Sequence, residues 1–201
     1  ALNIFAYVIH RAMAQQKTID SSRLILSPDA IKTDKDIIVN FFGSMEICTS
    51  QGILCEREFN SPRSSRVVTY LLLNAKSSHY PSSIVAALWP EEEDKWDTLA
   101  SYVRNYIHTF KKAFDLVSPY PLIVSTANGY GVNSELNIMT DLRQFDLLWE
   151  NAQHATSISH KVELLKQAAA LYKGSVFASP DFGTARSALR SCRFPLPPSR
   201  A

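Results

Sequence analysis

"LIVSTANGYGV", residues 122–132, sets two short apolar runs on either side of Asn128-Gly129. Asn-Gly between strand-like runs is the strongest short-range sign of a β-hairpin, because a type I′ turn needs positive φ at both central residues. Asn128 and Gly129 are therefore expected at the centre of a turn. A hairpin can close a sheet, or it can project and touch a partner. The segment before it separates the two cases.

Winding residues 99–114 at about 3.6 residues per turn puts Leu99, Val103, Tyr106, Phe110 and Phe114 on one stripe, with Ile107 at its edge. Such a stripe must bury itself against the rest of the domain. The opposite side carries Ser101, Arg104, Asn105, His108, Lys111 and Lys112, and no carboxylate occurs between Asp97 and Asp115. A merely solvated face usually mixes signs, since Glu-to-Lys pairs support a helix. Lys111 and Lys112 would complement the helix dipole in either case. Ser, Asn and His can in addition hydrogen-bond base edges.

The elements around this helix supply an order. Ser61 is a candidate N-cap and Pro62 opens a helix through "RSSRVVTYLLLNA". "YPSSIVAALWP" reads as a short helix stopped by Pro90. "EEED", residues 91–94, follows that proline and has no second carboxylate cluster, so it reads as a solvated loop. Short helix, short helix with a turn, long helix with a cationic outer face, then hairpin: this is a helix-turn-helix followed by a wing. A helix fits the major groove of a duplex, and a ribbon can reach the backbone or the neighbouring minor groove.

Upstream, "IIVNFFGSMEICTSQGILCEREF" alternates partly with period two and reads as three or so short antiparallel strands. Downstream, Asp141 is expected to N-cap "LRQFDLLWENAQ". "HKVELLKQAAALYK" forms a second helix, with Gly174 as its C′ residue. Phe145, Leu148 and Trp149 on one helix are expected to face Val162, Leu165, Ala169 and Tyr172 on the other, as an α-hairpin. Residues 2–16 can form a helix, and "RLIL" is a short extended piece in a linker. Beginning at Ala1 in mid-pattern, residues 1–36 read as the end of an upstream segment or a linker.

Hydrophobic residues make up 46% of the 201 and charged residues 20%, which is the composition of a soluble globular chain. A net charge of +2 neither requires nor excludes nucleic acid. Cys48, Cys55 and Cys192 make no C-x-x-C pair and no disulfide framework, so they read as small core residues of a cytoplasmic protein. "LNIFAYVI" is far shorter than the ~20 residues that span a bilayer, so no membrane is expected. His10, His79, His154 and His160 lack metal-ligand spacing. No Walker A run, G-x-S-x-G or oriented Cys/His pair occurs, so neither enzyme activity nor a cofactor is expected. Trp89 and Trp96 are expected in the core or at its boundary, and Tyr130 against the hairpin's own domain.

"FFGSMEI", "LLLNAKSSHYPSSIVAALWPEEE", "ASYVRNYIHTFKKAF" and "IVSTANGYGV" resemble the OmpR/PhoB-type winged helix. With "ALWP" before the long helix and "TDLRQFDLLWENA…LLKQAAALYKGSVF" after the hairpin, residues 37–177 are similar to the SARP family of bacterial regulators. The resemblance implies an α+β fold. Residues 37–137 would be a winged helix-turn-helix with an N-terminal antiparallel sheet and a C-terminal wing hairpin. Residues 138–178 would be an all-α TPR-like helical hairpin, part of a bacterial transcriptional activation domain, with 179–201 a poorly defined tail.

The implied function is transcription regulation by sequence-specific binding of duplex DNA, with 98–114 as the recognition helix. Ser101, Arg104, Asn105 and His108 would meet base edges or phosphates, Lys111 and Lys112 phosphates. Ser82 and Ser83 would open the second helix against a phosphate, and Asn128 would contact the backbone from the wing. The helical part would serve a homodimer or RNA polymerase. Two features depart from the family. The hairpin turn carries Ala127 and Asn128 where a basic residue is frequent, and the helical part is short. The rival expectation is a protein-interaction module, with the winged helix as a structural or docking unit.

Overall fold

The computed structural model describes residues 28–173 apart from Asn60. The helix expected over 2–16, the "RLIL" piece, His10, Gly174, Cys192 and the tail 179–201 lie outside the described residues. The strands are β1 (Asp36–Asn40), β2 (Glu46–Cys48), β3 (Ile53–Cys55), β4 (Ile123–Thr126), β5 (Gly129–Val132) and β6 (Asn137–Thr140). The helices are α1 (Pro62–Leu73), α2 (Pro81–Leu88), α3 (Trp96–Phe114), α4 (Asp141–His154) and α5 (Ile158–Leu171). The described chain is mixed α/β, an N-terminal sheet followed by a helical region.

β1, β2 and β3 pair antiparallel, with Val39 opposite Ile47 and Ile47 opposite Leu54. The sheet is not purely antiparallel, however. β6 joins the other edge of β1 in parallel, Ile37 beside Ile138, giving the order β3-β2-β1-β6. Four residues of "NIMT" carry too little alternation to announce a strand, and their partner lies about a hundred residues away. Ile37, Val39 and Ile47 are fully buried under the helices.

α1 begins as its sequence dictates. Pro62 fills a position whose N–H has no helical partner, and the Ser64 N–H donates to Ser61 Oγ at 3.0 Å. Replacing Ser61 by alanine is expected to cost about 1 kcal/mol, read as a fall of about 2–4 °C in Tm. α3 buries Leu99, Val103, Ile107, Phe110 and Phe114. Ile107 is 1% exposed while Tyr106 is only half-buried, so the stripe is centred nearer Ile107 than periodicity placed it. α3 packs on α1, α2 and the 3₁₀ turn holding Phe59 at once, with Phe59 edge-on to Phe110 at 5.3 Å. Trp89 is buried and Trp96 half-buried, with the Trp96 indole N–H donating to Trp89 O.

α4 and α5 pack through Leu148, Ala152, Leu164 and Ala168. Val162 and Tyr172, expected to face α4, are 45% and 52% exposed. α5 carries two apolar stripes, and periodicity does not say which one meets α4. The helical pair is fastened to the sheet through Asp141, but not as the expected N-cap. Thr140 is the cap, its Oγ1 accepting the Arg143 N–H at 3.1 Å. The buried Asp141 carboxylate instead accepts the Phe41 N–H at 2.8 and 2.9 Å and the Phe42 N–H at 2.8 Å. The Phe42 ring then sits edge-on to Phe145 and Tyr172.

Candidate nucleic-acid interface

With its apolar stripe buried, α3 turns Ser101, Arg104, Asn105, His108 and Lys112 to solvent. Neither Arg104 nor Lys112 has a carboxylate partner among the described residues, unlike Arg63, which pairs with Glu92 at 3.1 Å, and Lys35, which pairs with Glu135 at 3.4 Å. The Ser101 hydroxyl donates to the Asp97 carbonyl at 3.3 Å, so it is partly occupied within its own helix. Lys111 is half-buried, and its Nζ lies 5.8 Å from the centre of the Tyr130 ring.

The hairpin lies beside this helix, and its turn sits one residue earlier than expected. Thr126 faces Gly129 across the ladder, so Ala127 and Asn128 form the connection. Gly129 is the first residue of β5, at φ +103°. The Thr126 hydroxyl accepts the Asn128 N–H at 3.2 Å and donates to Gly129 O at 3.3 Å, closing the turn. A neighbouring segment decides this register. Tyr130 exchanges both backbone bonds with His79, at 2.8 and 2.9 Å, so residue 79 acts as a third strand. The space a Cβ would need on Gly129 is taken by the His79 carbonyl, and that on Gly131 by Ser78 Oγ.

The same segment leads directly into α2, whose N-cap residue Tyr80 contributes no side-chain capping bond. Pro81 starts the helix, and Ser82 and Ser83 are exposed in its first turn. The Tyr80 hydroxyl lies 3.4 Å from both Ala127 O and Asn128 Oδ1, joining that helix start to the hairpin tip. The fold thus brings α3, the first turn of α2 and the hairpin together. The chain matches no protein-family model and no curated protein. What the surface can bind must follow from its own side chains.

Residues 101–112 span about 16 Å of helix. That length presents a cation, an amide and an imidazole on one side, with donors free to meet an anionic or hydrogen-bonding partner. Asn128 and Ala127 are exposed at the hairpin tip. Two residues absent from the sequence-based expectation also lie at this surface. Tyr80 is 52% exposed beside the tip, and Tyr102 is 47% exposed on α3. Tyr102 sits off the buried stripe at helical spacing, a signal that was available. Tyr80 had none, because its role comes from a hairpin 47 residues later in the chain.

Among the described residues no helix is long and apolar enough to cross a membrane. The acidic stretch 91–94 belongs to a 3₁₀ turn (Pro90–Lys95), in which Glu92 holds Arg63 against the Trp89 ring.

Proposed function

We propose that this chain is a sequence-specific, duplex-DNA-binding transcription regulator of SARP type, with α3 as recognition helix and the β4–β5 hairpin as wing. The observation that carries the proposal is the exposed face of α3 from Ser101 to Lys112, which holds no carboxylate after Asp97 in the first turn, set beside the hairpin. Arg104 suits a guanine edge and Asn105 an adenine edge, with His108 one turn along. Lys112, near the end of the helix, and the first turn of α2 at Ser82 and Ser83 suit backbone phosphates. Asn128, exposed at the tip, would suit a further phosphate. The TPR-like pair α4–α5 would then serve a second copy or RNA polymerase.

A second reading, a protein-interaction module, is favoured by one observation. Ile158 and Val162 on α5 and Tyr172 just after it lie exposed, at 82%, 45% and 52%. Binding to duplexes over a range of salt concentrations separates the two. If the DNA reading holds, log K falls linearly with log[salt], by about 0.9 per phosphate neutralised. Lys112→Ala should then lower that slope by about one unit on every sequence, and Arg104→Ala should cost about 1–3 kcal/mol on the preferred one. A flat salt dependence, or binding untouched by both changes, favours the interaction module.

A further inference from the structure

The hairpin tip carries no charge: Ala127 and Asn128 are its two connecting residues. A cation reaches the hairpin from α3 instead. Lys111 projects from the last turn of that helix, and its ammonium lies over the Tyr130 ring at 5.8 Å. The backbone that carries the ring is fixed: the Tyr130 N–H and carbonyl both bond to His79, at 2.9 and 2.8 Å. A cation over an aromatic face is held by the ring quadrupole without using its N–H donors. The ring therefore narrows the range of Lys111 while its three donors stay available.

In a duplex the major and minor grooves are separated by a phosphate strand. A protein with a helix in one groove and a ribbon over the next must let that strand pass between them. Lys111 occupies this junction. We infer that Tyr130 is a positioning residue that aims the Lys111 ammonium at the phosphate strand crossing between α3 and the hairpin. A helix-borne charge thereby replaces the missing charge at the tip. The inference rests on the duplex-DNA reading.

Binding of a fluorescent duplex over a salt series tests it, with wild type, Lys111→Met, Tyr130→Leu, the double variant and Tyr130→Phe. Lys111→Met should lower the salt slope by about 0.9. Tyr130→Leu should weaken binding about threefold, the scale of an exposed cation–π contact, and should have no further effect once Lys111 is Met. Tyr130→Phe keeps the ring and should behave as wild type. In the free protein, the Lys111 ε-methylene protons should show an upfield ring-current shift in wild type and Tyr130→Phe, absent in Tyr130→Leu.

An unchanged slope for Lys111→Met overturns the inference. So does a Tyr130→Leu loss of equal size in both backgrounds. Should Tyr130→Leu not fold, the Lys111→Met slope and the wild-type ring-current shift decide alone. Salt-dependent duplex binding that ignores Lys111 sinks only the positioning role, whereas no duplex binding by wild type sinks the DNA reading with it.

Discussion

Asp141→Ala is expected to lower Tm by about 6–12 °C, corresponding to about 3 kcal/mol in a domain of this size. The Phe41 and Phe42 N–H groups are buried and both donate to this one carboxylate, at 2.8–2.9 Å. Alanine leaves both donors without a partner, at about 1–3 kcal/mol each, offset in part because a buried charge is also removed. The site closes the junction between β1 and α4, so near-ultraviolet dichroism from Phe145, Trp149 and Tyr172 should weaken in parallel. A fall in Tm under about 2 °C would mean that the two N–H groups find other acceptors.

The same carboxylate makes stability depend on pH with an unusual sign. Burial raises its pKa above the ordinary 3.8, against the pull of the Phe42, Phe41 and Leu142 N–H groups and the Lys173 charge. Above 3.8 the unfolded chain has released a proton that the folded chain still holds. The stability this group contributes is therefore complete below 3.8 and is lost as pH rises through the raised folded value. Asp141→Asn cannot titrate. Stability of wild type minus that of Asp141→Asn should fall as pH rises across this window. A difference that grows with pH would show that the N–H bonds outweigh burial.

Gly129→Ala is expected to cost about 3 kcal/mol and to unseat the hairpin. The residue has φ +103°, which an L side chain tolerates at a cost of about 1–2 kcal/mol. Its added Cβ would overlap the His79 carbonyl oxygen, with the carbonyl carbon at 2.6 Å and Tyr80 N at 2.8 Å. Backbone cannot swing aside as a side chain can, so the two His79–Tyr130 bonds must lengthen or break, at about 0.5–1.5 kcal/mol each. Hydrogen exchange at the His79 and Tyr130 amides should accelerate, and any duplex affinity should fall with it. Gly131→Ala is the control. Its nearest obstacle is Ser78 Oγ at 2.7 Å, a side-chain atom that can rotate, so the loss should be much smaller. Equal losses at the two glycines would refute the account of the His79 strand.

Elements set by neighbours in sequence were legible from the residues alone. Ser61 and Pro62 start α1, Pro90 stops the short helix that precedes it, and the helical spacing of Leu99, Val103, Phe110 and Phe114 defines α3. β1 to β3 followed from their Ile, Val and Leu content, and the cationic face of α3 from its residue types and spacing. These features depend on propensity and periodicity, which act over a few residues.

Contacts between distant segments decided the rest. The parallel pairing of β6 with β1, the reach of Asp141 to Phe41 and Phe42, and the choice between the two apolar stripes of α5 depend on which surfaces meet after collapse. The turn register at Ala127–Asn128 belongs with them. Asn-Gly announced a hairpin, but the His79 segment lying across Gly129 and Gly131 fixes where it turns. So, too, for Lys111. Its charge and its helix were plain from the sequence, yet only the packing of β5 beside α3 puts a tyrosine ring under it, because an aromatic contact requires two surfaces that local sequence never brings together.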